Sequence, residues 1–135
     1  MTDPESVRVR EALDGSGVFA ARAFTAGDFI ARFEGLETSA RTRMSLQFGP
    51  ERHIEPAKDC PLRFLNHACE PNAVFRGVDL HAARDIPERM EVTLDYNAHE
   101  DTLSHPFECR CGSPVCVGWV RGRLSQGGSG PDFVN

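Results

Sequence analysis

Three of the chain's five cysteines fall within one eight-residue stretch, CRCGSPVC, as Cys109, Cys111 and Cys116. Two thiolates two residues apart can reach one ion from a tight turn. Gly112 and Pro114 favour a loop that brings the third back. Structural zinc takes four ligands in a tetrahedron, so a fourth donor must come from elsewhere. Cys69, Cys60, His105 and His67 are the candidates. Cys69 is preferred, because it stands in the polar turn NHACEPN. Cys60 heads the apolar run CPLRF and reads as a buried free thiol. The competing reading is three reduced thiols in a loop. Iron–sulfur ligation uses longer, more regular runs, and no C-x-x-C redox pair occurs.

Two further stretches carry chemistry-bearing side chains. NHACEPN sets Asn66 and His67 beside Cys69, and EVTLDY ends in Tyr96, the chain's one tyrosine. Taken alone, Tyr96 reads as an amphipathic core residue at a strand end.

The elements that must position these groups read as short strands. VRVREA (7–12) alternates, DGSG (14–17) is a turn, TAGD (25–28) is another, and FIARFEG (29–35) is a strand closed by glycine. The first 35 residues therefore predict a hairpin or meander. SARTRMSLQFG reads as a short helix or a loop within a small insert. AVFRGVDLHAARDI reads as strand, GVD turn and strand, and EVTLDYNA (91–98) as a strand that ends in a polar loop.

Composition bounds the rest. The 135 residues suit one domain, and a 40% hydrophobic share suffices for a compact core that a metal would staple. No run approaches 18 apolar residues, so no membrane span is expected. The start lacks a basic-then-apolar leader pattern, which makes the cytoplasm the default expectation, with nuclear or host-cell destinations left open. A net charge of −5 argues against direct nucleic-acid binding and suits a basic protein or peptide partner. An acidic surface with no partner preference explains the charge equally well. Lys58 is the only lysine, and the sequence offers no physical account of that bias.

Four separated stretches together resemble the SET-domain protein-lysine methyltransferases. GSGVFAARAF (15–24) is similar to the family's glycine-rich first motif. RFLNHACEPNA (63–73) is similar to its RFxNHSCxPN motif, with Ala68 for serine. EVTLDY (91–96) resembles ELTxDY, and CRCGSPVCVG (109–118) resembles the post-SET cysteine motif. They stand in the family's order.

The resemblance implies a mainly-β fold, a β-clip of short curved sheets with a pseudo-knot where the EVTLDYN chain passes the NHACEPN segment. It divides the chain into a SET domain at 7–108 with a short insert at 36–59 and a post-SET zinc segment at 109–124, while the glycine and serine bias of the last residues predicts a flexible tail at 125–135. It implies S-adenosylmethionine as cofactor, held by Gly15, Ser16, Gly17, Asn66, His67, Tyr96 and Trp119. One structural zinc per chain would be held by Cys69, Cys109, Cys111 and Cys116. Tyr96 would be the catalytic residue, methylating a lysine of a protein or peptide partner through a channel that includes Phe33 and Leu94. Asp95 would steady its motif, by pairing with a group such as Arg63, and Asn72 and Glu91 would support local geometry.

Two departures bear on function. Phe33 stands where the family commonly has tyrosine, which motivates the alternative of a weak or inactive peptide-binding module. Leu94 stands near the position where many members carry phenylalanine or tyrosine, which leaves room for a more highly methylated amine.

Overall fold

The alternation of VRVREA is realised as β1 (Val7–Ala12), which pairs antiparallel with β2 (Gly15–Ala20) in the register Val7↔Ala20. The computed structural model describes residues 6–12 and 15–124; the tail expected over 125–135 lies outside the described residues. Of the turn predicted over 14–17, Gly15 to Gly17 belong to β2, and Asp14 lies outside the described residues. Gly15 has φ +110°, which excludes any other residue at low cost. Gly17 serves a different need, because a Cβ there would meet Glu91 Oε2 at 2.6 Å.

The turn over 25–28 forms as predicted, with Asp28 N donating to Thr25 O at 2.9 Å and Thr25 N donating to Asp28 Oδ2 at 2.8 Å. It leads into β3 (Phe29–Arg32). The single strand expected over 29–35 is in fact two strands. Gly35 opens β4 (Gly35–Thr38) instead of closing β3. β4 packs so tightly on β6 (Arg52–Pro56) that a Cβ on Gly35 would stand 1.9 Å from Glu55 O. β5 (Leu46–Gly49) lies on the other side of β6, giving the order β4-β6-β5. The insert is therefore a three-stranded sheet where a helix or loop was expected. Its edge strand is exposed at Leu36, so no alternation of apolar and polar residues announces it.

Pro61 starts a single 3₁₀ turn, Pro61–Phe64, which feeds β7 (Asn66–His67). The strand–turn–strand reading of 73–86 holds as the hairpin of β8 (Ala73–Arg76) and β9 (Asp79–Ala82), with Gly77 at φ +64°. β3 does not continue the N-terminal meander. It crosses the molecule to pair with β9, in the order β3-β9-β8. Val18, Ile30, Leu62, Leu80, Ile86 and Val92 are fully buried between these elements and form the centre of the core.

β10 (Thr93–Leu94) pairs parallel with β7, Thr93 opposite Asn66 and Leu94 opposite His67. The EVTLDYN chain thus runs beside the NHACEPN segment. The polar loop expected after it is a one-turn helix, α1 (Tyr96–His99), because Asp95 Oδ1 accepts from Asn97 N at 2.9 Å and caps it. β11 (Phe107–Glu108) and β12 (Trp119–Val120) form a small antiparallel pair around the cysteine segment. The chain just beyond β12 docks back on the turn after α1. Arg123 N donates to Glu100 O at 2.7 Å, and Gly122 (φ +103°) lies against Thr102. Among the described residues, no helix is long and apolar enough to cross a membrane.

Candidate active site and metal centre

The parallel pairing of β7 with β10 assembles the site from residues far apart in the chain. Asn72, buried, locks the two segments together. Its Oδ1 accepts from Thr93 N at 2.9 Å and its Nδ2 donates to Glu91 O at 2.9 Å. Asn66 Nδ2 donates to Ser16 O at 3.0 Å and to Glu91 Oε2 at 2.9 Å, which ties β2 to the same junction. Asn72 and Glu91 thus hold local geometry, as expected from their place in the motifs.

Tyr96 stands where two cavities meet. A broad cleft of about 1020 Å³ is lined by Gly15, Ser16, Asn66, His67 and Tyr96, together with Arg63, Glu91 and Phe107. A narrow channel of about 70 Å³ is lined by Phe33, Leu65, Leu94 and Tyr96, with Arg41, His99 and Glu100. The Tyr96 hydroxyl donates a short hydrogen bond to Leu65 O. Burial, aided by the Glu100 and Glu91 carboxylates, pushes the phenol up to about 12, so it remains an uncharged donor through the physiological range.

The His67 side chain is fully enclosed. Its ring packs edge-on against Tyr96 and Phe107, at centroid distances of 5.4 and 5.9 Å. Its Nδ1 accepts from Tyr96 N at 3.0 Å. That leaves Nε2 to carry the proton, and Nε2 lies 3.4 Å from Cys69 Sγ. Burial lowers the imidazole pKa, which agrees with a neutral ring. Asp95 does not meet Arg63. It caps α1 and approaches His67 Nδ1 at 3.7 Å, whereas Arg63 donates to Lys58 O at 3.2 Å and lies over the Phe64 ring.

The sulfurs of Cys69, Cys109, Cys111 and Cys116 all lie within 4.8 Å of one another. A tetrahedron with metal–sulfur bonds of about 2.3 Å has edges of about 3.8 Å. Cys69 and Cys109 already stand at 3.8 Å, so the donor set fits a tetrahedral metal. The thiols respond oppositely to their surroundings. Burial pushes Cys109 up to about 12, and backbone N–H groups of Cys69 and Ser113 draw Cys111 down to about 6. A dication would deprotonate the whole set. Cys60 is elsewhere, buried and accepting from Glu34 N at 3.4 Å, and His105 is exposed with Ser104 as partner at 3.0 Å.

Two predicted cofactor contacts fall outside the cleft lining. Gly17 faces Asn66 and Glu91, and Trp119 is half-exposed on β12. The sequence reading missed Leu65, whose carbonyl receives the Tyr96 hydroxyl, the group Arg41, His99 and Glu100 along the channel, and Gln47, whose backbone N–H donates to Glu100. Glu100 follows Tyr96 by four residues, a same-face spacing that becomes a signal only if 96–99 is read as helical.

Comparison with known proteins matches residues 15–97 to the family described as SET domain. The cysteine segment lies beyond that span. The chain is 31% identical over 133 residues to the "Variant-silencing SET domain-containing protein" of Plasmodium falciparum, covering 78% of this chain and 5% of that protein. It is 35% identical over 86 residues to "Methyltransferase flvH" of Aspergillus flavus, covering 61% of this chain and 47% of that protein. It thus spans under half the length of either. Among solved structures it is similar to KRYPTONITE in complex with mCHG DNA and SAH, with a TM-score of 0.67 and 27% identity over 84% of this chain and 28% of that one. A second KRYPTONITE complex, with mCHH DNA, H3(1-15) peptide and SAH, matches with a TM-score of 0.66 and 26% identity over 84% of this chain and 29% of that one.

Proposed function

Since the chain belongs to the SET-domain family, we propose that it transfers a methyl group from S-adenosylmethionine to the side-chain amine of a lysine in a protein substrate. The observation that carries this reading is the position of Tyr96, which lines both the broad cleft and the narrow channel. Two reactants can therefore meet at one hydroxyl without sharing a cavity. The Aspergillus relative named as a methyltransferase and the neighbour holding SAH and an H3 peptide support the same assignment.

Gly15, Ser16, Asn66 and His67 would hold the cofactor in the cleft, which supplies an electrophilic methyl on a sulfonium when it is bound. Phe33 and Leu94 form an apolar wall that excludes water and disfavours the charged ammonium. Tyr96 stays protonated, so its role is to orient the amine and the developing charge and not to remove a proton. One zinc, held by Cys69, Cys109, Cys111 and Cys116, would fix the cysteine segment beside the cleft. His67 joins the two centres, one ring nitrogen on Tyr96 N and the other towards Cys69. The partner is a lysine-bearing protein, and the net charge of −5 suits a basic one such as a histone tail.

The direct test uses labelled S-adenosylmethionine with a panel of basic proteins that includes core histones, paired with calorimetric binding of the cofactor. Cofactor binding and label on lysine are expected. Zinc-loaded protein that neither binds cofactor nor labels lysine would reject the reading.

Leu94 is buried and lines the channel. Its modest volume should allow di- or trimethyl-lysine to form, and Leu94→Tyr should shift products towards monomethyl-lysine by mass spectrometry. A parent enzyme that stops at monomethyl-lysine at long reaction times would contradict this size argument.

A further inference from the structure

Glu100 is the one buried carboxylate among the described residues, 8% exposed, and it lines the channel that leads to Tyr96. It closes α1, its backbone N donating to Tyr96 O at 2.9 Å, so its place relative to the phenol is set by one helical turn. Its oxygens are incompletely matched. Oε2 accepts from Gln47 N at 2.8 Å. Oε1 faces Arg41 Nε at 3.9 Å, too far for a hydrogen bond, and that nitrogen is itself buried without a hydrogen-bond partner. Arg41 instead gives its NH2 group to Gln47 Oε1 at 3.1 Å. A buried charge with spare acceptor capacity is costly for a fold to keep unless a cation arrives there.

We propose that Glu100 receives the target lysine, its carboxylate pairing with the ammonium in the channel and accepting one of its protons. This rests on the methyltransferase reading above. In that step an N–H bond breaks and an O–H bond forms. The electron pair stays on nitrogen as the lone pair needed for attack, Glu100 becomes a neutral acid, and total charge is unchanged. The charged and titratable groups around Glu100 and its channel include Arg41 and Arg43 from the segment before β5, Arg63 from the 3₁₀ turn, Tyr96 and His99 on α1, and Asp101 and Arg123 beyond it. Asp101 is already committed to Gln47 Nε2 and Arg123, which leaves Glu100 as the available acceptor. Burial pushes the Glu100 carboxyl up to about 7, against the pull of Gln47 N–H and Arg41, which suits it to exchange a proton near neutral pH. Against the pull of the carboxylate, the Phe33 and Leu94 wall and the guanidinium groups of Arg41, Arg43 and Arg63 oppose the ammonium form, whose reference pKa is about 10.4.

Glu100→Gln tests this, because the amide oxygen can still accept from Gln47 N and keeps the shape. Transfer from tritiated S-adenosylmethionine to mixed core histones is followed as kcat/KM from pH 6 to pH 9.5. The parent should rise and level off above about pH 7, as Glu100 ionises. The variant must wait for amine that is already neutral, so its rate should climb about tenfold per unit towards the lysine pKa. The deficit should be about 100-fold at pH 7 and shrink steadily above it. A deficit constant with pH, or none, in a folded variant would overturn the role while leaving the methyltransferase reading intact. A parent that neither binds cofactor nor labels lysine in the panel would remove that reading and this inference with it. A second measurement does not depend on the target protein. n-Butylammonium, a channel-sized cation, should move the Glu100 carboxyl carbon resonance, identified by its absence in Glu100→Gln, whereas n-butanol should not. No movement with n-butylammonium would also overturn the proposal.

Discussion

Replacing Tyr96 with phenylalanine is expected to lower methyl transfer about 100-fold, equivalent to roughly 3 kcal/mol, the cost of losing one preorganised polar contact in comparable sites. The ring remains, so its edge-on packing with His67 and Phe107 should persist. Deleting the hydroxyl leaves Leu65 O without its donor, which costs about 1 kcal/mol of stability and should not unfold the domain. Cofactor affinity and zinc content should therefore stay near parent values while single-turnover rate falls. The phenol is held at about 12, so the deficit should be the same at pH 6.5 and pH 9. That flat profile separates Tyr96 from Glu100, whose variant should recover as pH rises. Near-parent turnover at saturating cofactor with an identified substrate would reject Tyr96 as the catalytic residue.

Cys69→Ala is expected to abolish zinc binding as fully as Cys111→Ala, although Cys69 lies 40 residues before Cys109. Structural zinc contributes about 10–16 kcal/mol in zinc-finger peptides, and a site built from separate segments returns that energy as folding free energy. Removing Cys69 should therefore loosen the cysteine segment and also leave His67 Nε2 without its sulfur acceptor. Metal analysis should fall from one zinc per chain to none, with sulfur coordination lost from the X-ray absorption spectrum. Cys60→Ala is the control and should retain zinc, because that thiol is buried elsewhere against Glu34 N. Full occupancy after Cys69→Ala would exclude the long-range ligand.

The chain's own residue types determined much of this protein. The cysteine spacing and the stretches NHACEPN and EVTLDY singled out the four sulfurs that the fold gathers into one cluster and the phenol, because ligand chemistry belongs to side chains wherever they fold. The 73–82 hairpin and the 25–28 turn were legible for a similar reason, since both are closed by nearby residues and by glycines in left-handed conformations. The insert sheet was not legible. Its edge strand exposes Leu36, and its register depends on Gly35 touching Glu55, a contact that only the folded backbone creates. The pairing of β3 with β9 likewise spans about 50 residues and carries no local signature.

The site divides in the same way. Tyr96 was identifiable as a residue, but its hydrogen bond to Leu65 O and its place between two cavities follow from the parallel contact of β7 with β10. Glu100 in the sequence is one acid among many. Burial, an incomplete pairing with Arg41 and a position one turn beyond Tyr96 distinguish it, and all three arise only when distant segments enclose it. Sequence spacing records local periodicity and chemical identity; desolvation and hydrogen-bond satisfaction are set by what the rest of the chain brings alongside.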